Sequence, residues 1–312
     1  MDGDWRDNDN MEEKRILAIL QANYDFQIDG IEFLRDSGGT VYIVNSGEQK
    51  FLLKIAKKAF RDTICQSVDI LSYLLENQFP VPAVIRTKSE ACMLEVMEEG
   101  QERLFILYKY IEGNEPDLRL CGEKVGEMAG QFHKLLPAYQ GKMEERGFPF
   151  FIGRYIEILR RKNYPGTGRY EELGTKLWER VKNCSVGVCH GDFHRGNLLE
   201  TGSGDIYLLD FDTVCTAPRM FDVAVMCDMT DYFNLQEEDI RITEEVYKNF
   251  LKGYRRYQDL TELEQETFGD WVAIRHFQLQ ATIVEIYGLD CIDHNFIDGQ
   301  LKWLENWCGR RQ

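Results

Sequence analysis

The chain has 312 residues, of which 44% are hydrophobic and 29% charged, with a formal net charge of -16 at pH 7. That length suits two domains, and the charge excludes nucleic acid or an anionic membrane surface as the main partner, since both require a positive face. The nine cysteines are scattered without a C-x-x-C pair, which fits a reduced cytoplasmic protein. The acidic start "MDGDWRDNDN" is no signal peptide, and no apolar run is long enough to span a bilayer.

In chain order, "MEEKRILAILQANY" carries helical spacing at Ile16, Leu17 and Leu20. "FQIDGIEFLRD", "TVYIVNS" and "KFLLKI" are rich in β-branched and aromatic residues and are predicted strands, broken at Ser37-Gly38-Gly39 and by a hairpin turn in "NSGEQ". Residues 60–78 suit a helix ending before "FPVP". Strands follow in "CMLEVM" and "RLFILYKY", joined at Glu99-Gly100. After "YIEGNEP" the character changes to helices at 121–136, 150–162 and 169–182. Short strands then flank "HGDFHRGN", and nearly everything from Phe221 onward is helix. Two lobes, 1–110 and 111–312, facing each other across a cleft, are the expected organisation.

Four side chains stand out chemically. Lys54 follows three apolar residues and needs a negative partner. Asp192 and Asn197 lie five apart in a loop bounded by Gly191 and Gly196. A carboxylate there can orient or deprotonate a hydroxyl, and an amide oxygen is a hard donor suited to magnesium. Asp210 ends the apolar strand "IYLL", where a second magnesium ligand would project. Lysine, base, amide and carboxylate are the parts that phosphoryl transfer needs.

The motifs "HGDFHRGN" and "LLDFD", with "FPVP" and "YIEG", resemble the aminoglycoside phosphotransferase and choline kinase family, and most closely its spore-coat-associated and homoserine-kinase-like bacterial branch. The resemblance implies an α+β, protein-kinase-like two-lobed fold, with a small antiparallel sheet and one helix in the first lobe and a larger, mainly helical second lobe. It implies transfer of the γ-phosphate of ATP, with Mg2+, to a hydroxyl of a small molecule. Asp192 is then the base, Asn197 and Asp210 hold the metal, and Lys54 pairs with the α- and β-phosphates. Gly38 and Gly39 lie over the triphosphate, the Lys109 carbonyl and Ile111 N–H meet adenine, and His190 and Asp222 support the loop. The helix acid that pairs with Lys54 in the family has no clear match here, and Asp69 is the nearest candidate.

Carboxylates beside aromatic residues in "CDMTDYF" and "EIYGLDCID" suit an ammonium group. Asp228, Asp231, Tyr232, Glu285 and Asp290, together with His194 near the base, are therefore expected around a small alcohol bearing an amine: an amino sugar, an amino alcohol or a hydroxy amino acid. Other readings compete. "LLDFDTV" also fits the opening of a haloacid-dehalogenase-type phosphatase with Asp210 as nucleophile, but that motif belongs to alternating strands and helices. A metal hydrolase on His190, Asp192 and His194 lacks further histidines nearby. A nucleotide-binding pseudokinase or spore-coat-type structural protein should have lost one of Lys54, Asp192, Asn197 or Asp210, and all four are present.

Overall fold

The computed structural model describes residues 4–36, 39–98 and 100–310. The chain divides into two compact units, Met1–Asn114 with Leu199–Asp212, and Glu115–Leu198 with Thr213–Gln312.

The first unit opens with helix α1 (Asp4–Asn23). Strands β1 (Gly30–Asp36), β2 (Thr40–Ser46) and β3 (Gln49–Lys57) follow, then α2 (Arg61–Glu76), β4 (Leu94–Glu98) and β5 (Gln101–Lys109). The five strands form one antiparallel sheet in the order β1-β2-β3-β5-β4. Val41, Tyr42 and Val44 on β2 are buried, and Leu53 and Leu107 from the neighbouring strands join Ile16 and Leu20 of α1 in one core. The β2–β3 turn places Gly47 at φ +58°, which glycine adopts without steric cost. Helix α2 buries Ile64, Val68 and Leu71 at the spacing of one helix face.

The second unit contains α3 (Leu118–Leu135), the two-residue β6 (Glu144–Glu145), α4 (Arg154–Arg161), α5 (Thr167–Val181) and β7 (Val186–Cys189). The chain then runs through β8 (Leu198–Glu200) and β9 (Ile206–Leu208), a two-stranded sheet, most of which packs with the first unit. Strand β10 (Cys215–Pro218) returns to the second unit and sits between β6 and β7. Helices α6 (Met220–Cys227), α7 (Glu237–Tyr254), α8 (Glu262–Glu266), α9 (Phe268–Tyr287) and α10 (His294–Gly309) complete it. Helix α9 buries residues on all sides, among them Trp271, Ile274, Phe277 and Ala281, and is the centre of the helical core.

After Asp210 the described residues contain one short strand and then five helices. This is not the strand–helix alternation that a dehalogenase-type phosphatase needs. No helix among the described residues is long and apolar enough to cross a membrane.

Candidate active site

In the first unit, Lys54 sits mid-strand on β3, opposite Val41 of β2 and Ile106 of β5. Its side chain is 15% exposed; it pairs with Asp212, and Asp210 Oδ1 lies 3.5 Å from Nζ. Burial disfavours the ammonium, but the two carboxylates outweigh it and raise the Lys54 pKa. Asp69 is exposed on α2 and is not the partner. The acidic partners come instead from the turn that follows β9, 156 and 158 residues further along the chain. Asp210 adopts φ +59°, a left-handed conformation that aspartate tolerates better than most residues.

Gly39 has φ +134°, and a Cβ there would stand 2.8 Å from the Ile55 carbonyl oxygen, so the backbone passes where no side chain fits. Gly38 lies outside the described residues. The Lys109 N–H donates to the Ala83 carbonyl (2.8 Å), and Ile111 follows in irregular, half-buried backbone.

In the second unit, β7 delivers the chain into the "HGDFHRGN" loop. Asp222, fully buried on α6, accepts from the backbone N–H of His190 (2.6 Å) and of Gly191 (3.0 Å). His133 Nε2 also lies 3.0 Å from Asp222, and its Nδ1 lies 2.8 Å from the Tyr254 hydroxyl. Gly191 has φ +83°, and a Cβ would meet the Thr213 carbonyl oxygen at 2.2 Å. The loop is thus fixed from below by a buried carboxylate and admits only glycine at its bend. His133, Cys189 and Asp222 are close enough together to hold a metal. However, both His133 nitrogens are already hydrogen-bonded, and burial pushes the Cys189 thiol pKa up, so the cluster acts as a brace.

Asp192 points one oxygen at a guanidinium and the other at an imidazole. Arg275 Nη2 on α9 is 3.1 Å from Oδ1, and His194 Nε2 is 3.4 Å from Oδ2. Burial opposes ionisation, but the His194 hydrogen bond and the charge of Arg275 outweigh it and hold the carboxyl at about 2. The Asn197 amide donates from Nδ2 to the Asp192 backbone carbonyl (2.9 Å), which leaves its oxygen as the hard donor. Arg275 was not among the sequence candidates. Its signal was present in "WVAIRHFQL", a cation inside an otherwise apolar run.

The expected acceptor residues are in mixed company. Asp228 accepts from the backbone N–H and hydroxyl of Thr230 (3.0 and 2.6 Å). Burial raises its carboxyl to about 6 against those hydrogen bonds. Asp231 caps a turn by accepting from the Phe233 and Asn234 N–H groups. Tyr232 stacks on His276 at 5.0 Å, and burial raises its hydroxyl pKa. Glu285 is not free for an ammonium, because Arg154 pairs with it at 2.5 Å. Asp290 is exposed in a single 3-10 turn, Leu289–Cys291. Next to Asp228, Met229 helps to line a cavity of about 440 Å³ with Arg195, Glu115, Asp117 and Arg119.

The Asp228 geometry gives a pH-dependent expectation. Its pKa is raised in the fold, so the native state holds the proton more tightly, and stability falls as pH rises from about 4 through about 6. Asp228→Asn, which still accepts from Thr230, should be more stable than the parent at pH 8 and equal to it at pH 4 in urea unfolding. An equal difference at both pH values would refute the raised pKa.

A phosphotransferase is the class that this fold and these residues define. Residues 30–263 match the phosphotransferase enzyme family (APH), and the chain belongs to it. It is a small-molecule kinase with an alcohol group as acceptor, and its fold is the α+β protein-kinase-like one. Amicoumacin kinase of Bacillus subtilis (strain 168) is 23% identical over 318 residues, covering 94% of this chain and 92% of that protein. Among solved structures, amicoumacin kinase hAmiN in complex with AMP-PNP, Ca2+ and Ami aligns with a TM-score of 0.75 at 19% identity, covering 95% of this chain and 92% of that one. The microcompartment-associated aminopropanol kinase aligns with a TM-score of 0.69 at 18% identity, covering 94% and 95%.

Proposed function

We propose that this protein transfers the γ-phosphate of ATP, as its magnesium complex, to the hydroxyl of a small amine-bearing molecule in the cytoplasm. The observation that carries this reading is Asp192, ionised and held at both oxygens on a loop that a buried carboxylate fixes. Phosphoryl transfer passes through a loose transition state, in which positioning and charge neutralisation do most of the work. A carboxyl near 2 is a weak base, so Asp192 orients the acceptor hydroxyl and receives its proton late.

Asn197 and Asp210 offer hard oxygen donors that fit magnesium. Lys54 takes the α- and β-phosphates, exchanging the carboxylates that hold it without nucleotide for phosphate oxygens. The Gly39 backbone lies close to the triphosphate, with Gly38 beside it in sequence. The Lys109 carbonyl and the Ile111 N–H meet adenine. Asp228 receives the acceptor's ammonium, and Tyr232 and His194 border it. The two named relatives are kinases of amicoumacin and aminopropanol, which is consistent with an amine on the acceptor. The domain division proposed is 1–110 for nucleotide and 111–312 for catalysis and acceptor, with Asp210 returning to the nucleotide side. The nine cysteines are scattered without a C-x-x-C pair, which supports a reducing compartment.

Magnesium with AMP-PNP should raise the melting temperature, since a ligand at 100 times its dissociation constant adds about 2.7 kcal/mol. Lys54→Ala should lose most of that shift. No shift and no binding heat at millimolar nucleotide would overturn the proposal. Covalent phosphate trapped on Asp210 would favour the phosphatase mechanism instead.

A further inference from the structure

Around Asp192 the second unit gathers three arginines, in a chain of net charge -16. Arg275 is 14% exposed and donates to Asp192 Oδ1. It also donates to the Gln278 side-chain oxygen, while the Gln278 amide donates to the Thr282 hydroxyl (3.2 Å). Arg154 reaches that same hydroxyl at 3.5 Å. The Arg154 and Arg146 guanidinium groups lie 4.0 and 4.2 Å from the Phe150 ring centroid. Arg146 Nη1 comes within 3.1 Å of where a Gly191 Cβ would stand, one residue before Asp192.

The three cations are not equally compensated. Arg146 and Arg154 pair with Glu144 and Glu285, which are 62% and 45% exposed. Among the described residues, the ion-pair partner of Arg275 is Asp192, the carboxylate that the reaction needs. When Asp192 takes the acceptor's proton, the little-exposed Arg275 loses its counter-charge, which is costly for a poorly solvated cation. An acceptor that brings its own carboxylate removes that cost. The planar guanidinium fork fits a carboxylate through two parallel hydrogen bonds.

Resting on the kinase function proposed above, we infer that the acceptor carries a carboxylate beside its amine, and that Arg275, backed by Arg154, receives it. Of the three acceptor classes that the sequence allows, this selects the hydroxy amino acids over amino alcohols and amino sugars. Asp228 and Arg275 then divide the zwitterion between them. The charge of Arg275 acts on the Asp228 carboxyl, against the burial that dominates it.

The test compares matched acceptors in the full-length protein with magnesium and ATP: homoserine against 3-aminopropan-1-ol, serine against ethanolamine, and threonine against 1-aminopropan-2-ol. The best pair should favour the amino acid by about tenfold or more in kcat/KM, because a site built to bind a group rejects the analogue that lacks it. Arg275→Gln and Arg154→Gln should erase that preference, chiefly through KM. Within each pair, Arg154→Gln should weaken the amino acid more than the amino alcohol. Because the preference is a ratio within one variant, partial unfolding does not mimic its loss. Equal or better turnover of the amino alcohols overturns the inference and leaves the kinase standing. So does failure of every amino acid, provided that nucleotide still binds. An equal fall for both members of a pair in Arg154→Gln shows that this arginine only supports the fold, and it overturns the assignment of the carboxylate to this cluster.

Discussion

Asp192→Asn is expected to lower kcat by about two to four orders of magnitude, the usual worth of a positioned base. Magnesium–nucleotide affinity should stay within about threefold, because no proposed nucleotide contact involves this side chain. Asparagine keeps the size of the side chain and one oxygen for Arg275, so the loop itself should survive. Single-turnover kinetics with calorimetry of AMP-PNP binding checks both halves of the statement. A variant with near-parental turnover would remove Asp192 from the mechanism. The pH dependence follows with a definite sign. The folded carboxyl lies near 2 against an ordinary 3.8, so its ionised form adds stability above pH 4. That contribution disappears as pH falls from about 4 through about 2. Asp192 therefore sets no acid limb in kcat/KM near neutrality, and a limb near pH 6 that Asp228→Asn removes would belong to Asp228.

Asp222→Ala is expected to destabilise the protein by roughly 3–5 kcal/mol, the cost of removing one partner from a buried charged network. Three donors converge on this carboxylate, two from the backbone of the catalytic loop and one from His133, and all would lose their acceptor at a fully buried position. Guanidinium unfolding measures the loss. Folded Asp222→Asn should retain part of the stability yet lose turnover, because its amide can accept from the loop with one oxygen only. A variant with unchanged midpoint and unchanged rate would show that the loop is held by other contacts.

Much of this was legible because it is local. β2 and β3 are rich in β-branched and aromatic residues on either side of a two-residue turn, and α2 shows a clean helical face, so the sheet and its helix follow from local composition and spacing. The loop around Asp192 and Asn197 was readable because glycines bracket it and its polar residues have no place inside a strand or helix. What escaped is tertiary. Asp69 was the nearest acid on a plausible helix, whereas the true partner Asp212 lies 158 residues from Lys54, a pairing that no local pattern encodes. Glu285 looked available beside aromatic residues until α4 supplied Arg154. Strands β6 and β10 are too short to show a period of two, and β10 ends in Pro218.

The excursion of Leu199–Asp212 back to the first unit has a consequence for synthesis on the ribosome. The five-stranded sheet is complete once Lys109 has emerged, yet Lys54 then lies half-buried without either of its acids. About a hundred further residues must leave the exit tunnel before Asp210 and Asp212 arrive, which at 5–20 residues per second is roughly 5–20 s. During that interval the nascent sheet lacks the acids that neutralise Lys54, so the first unit reaches its final stability only after much of the second has been made.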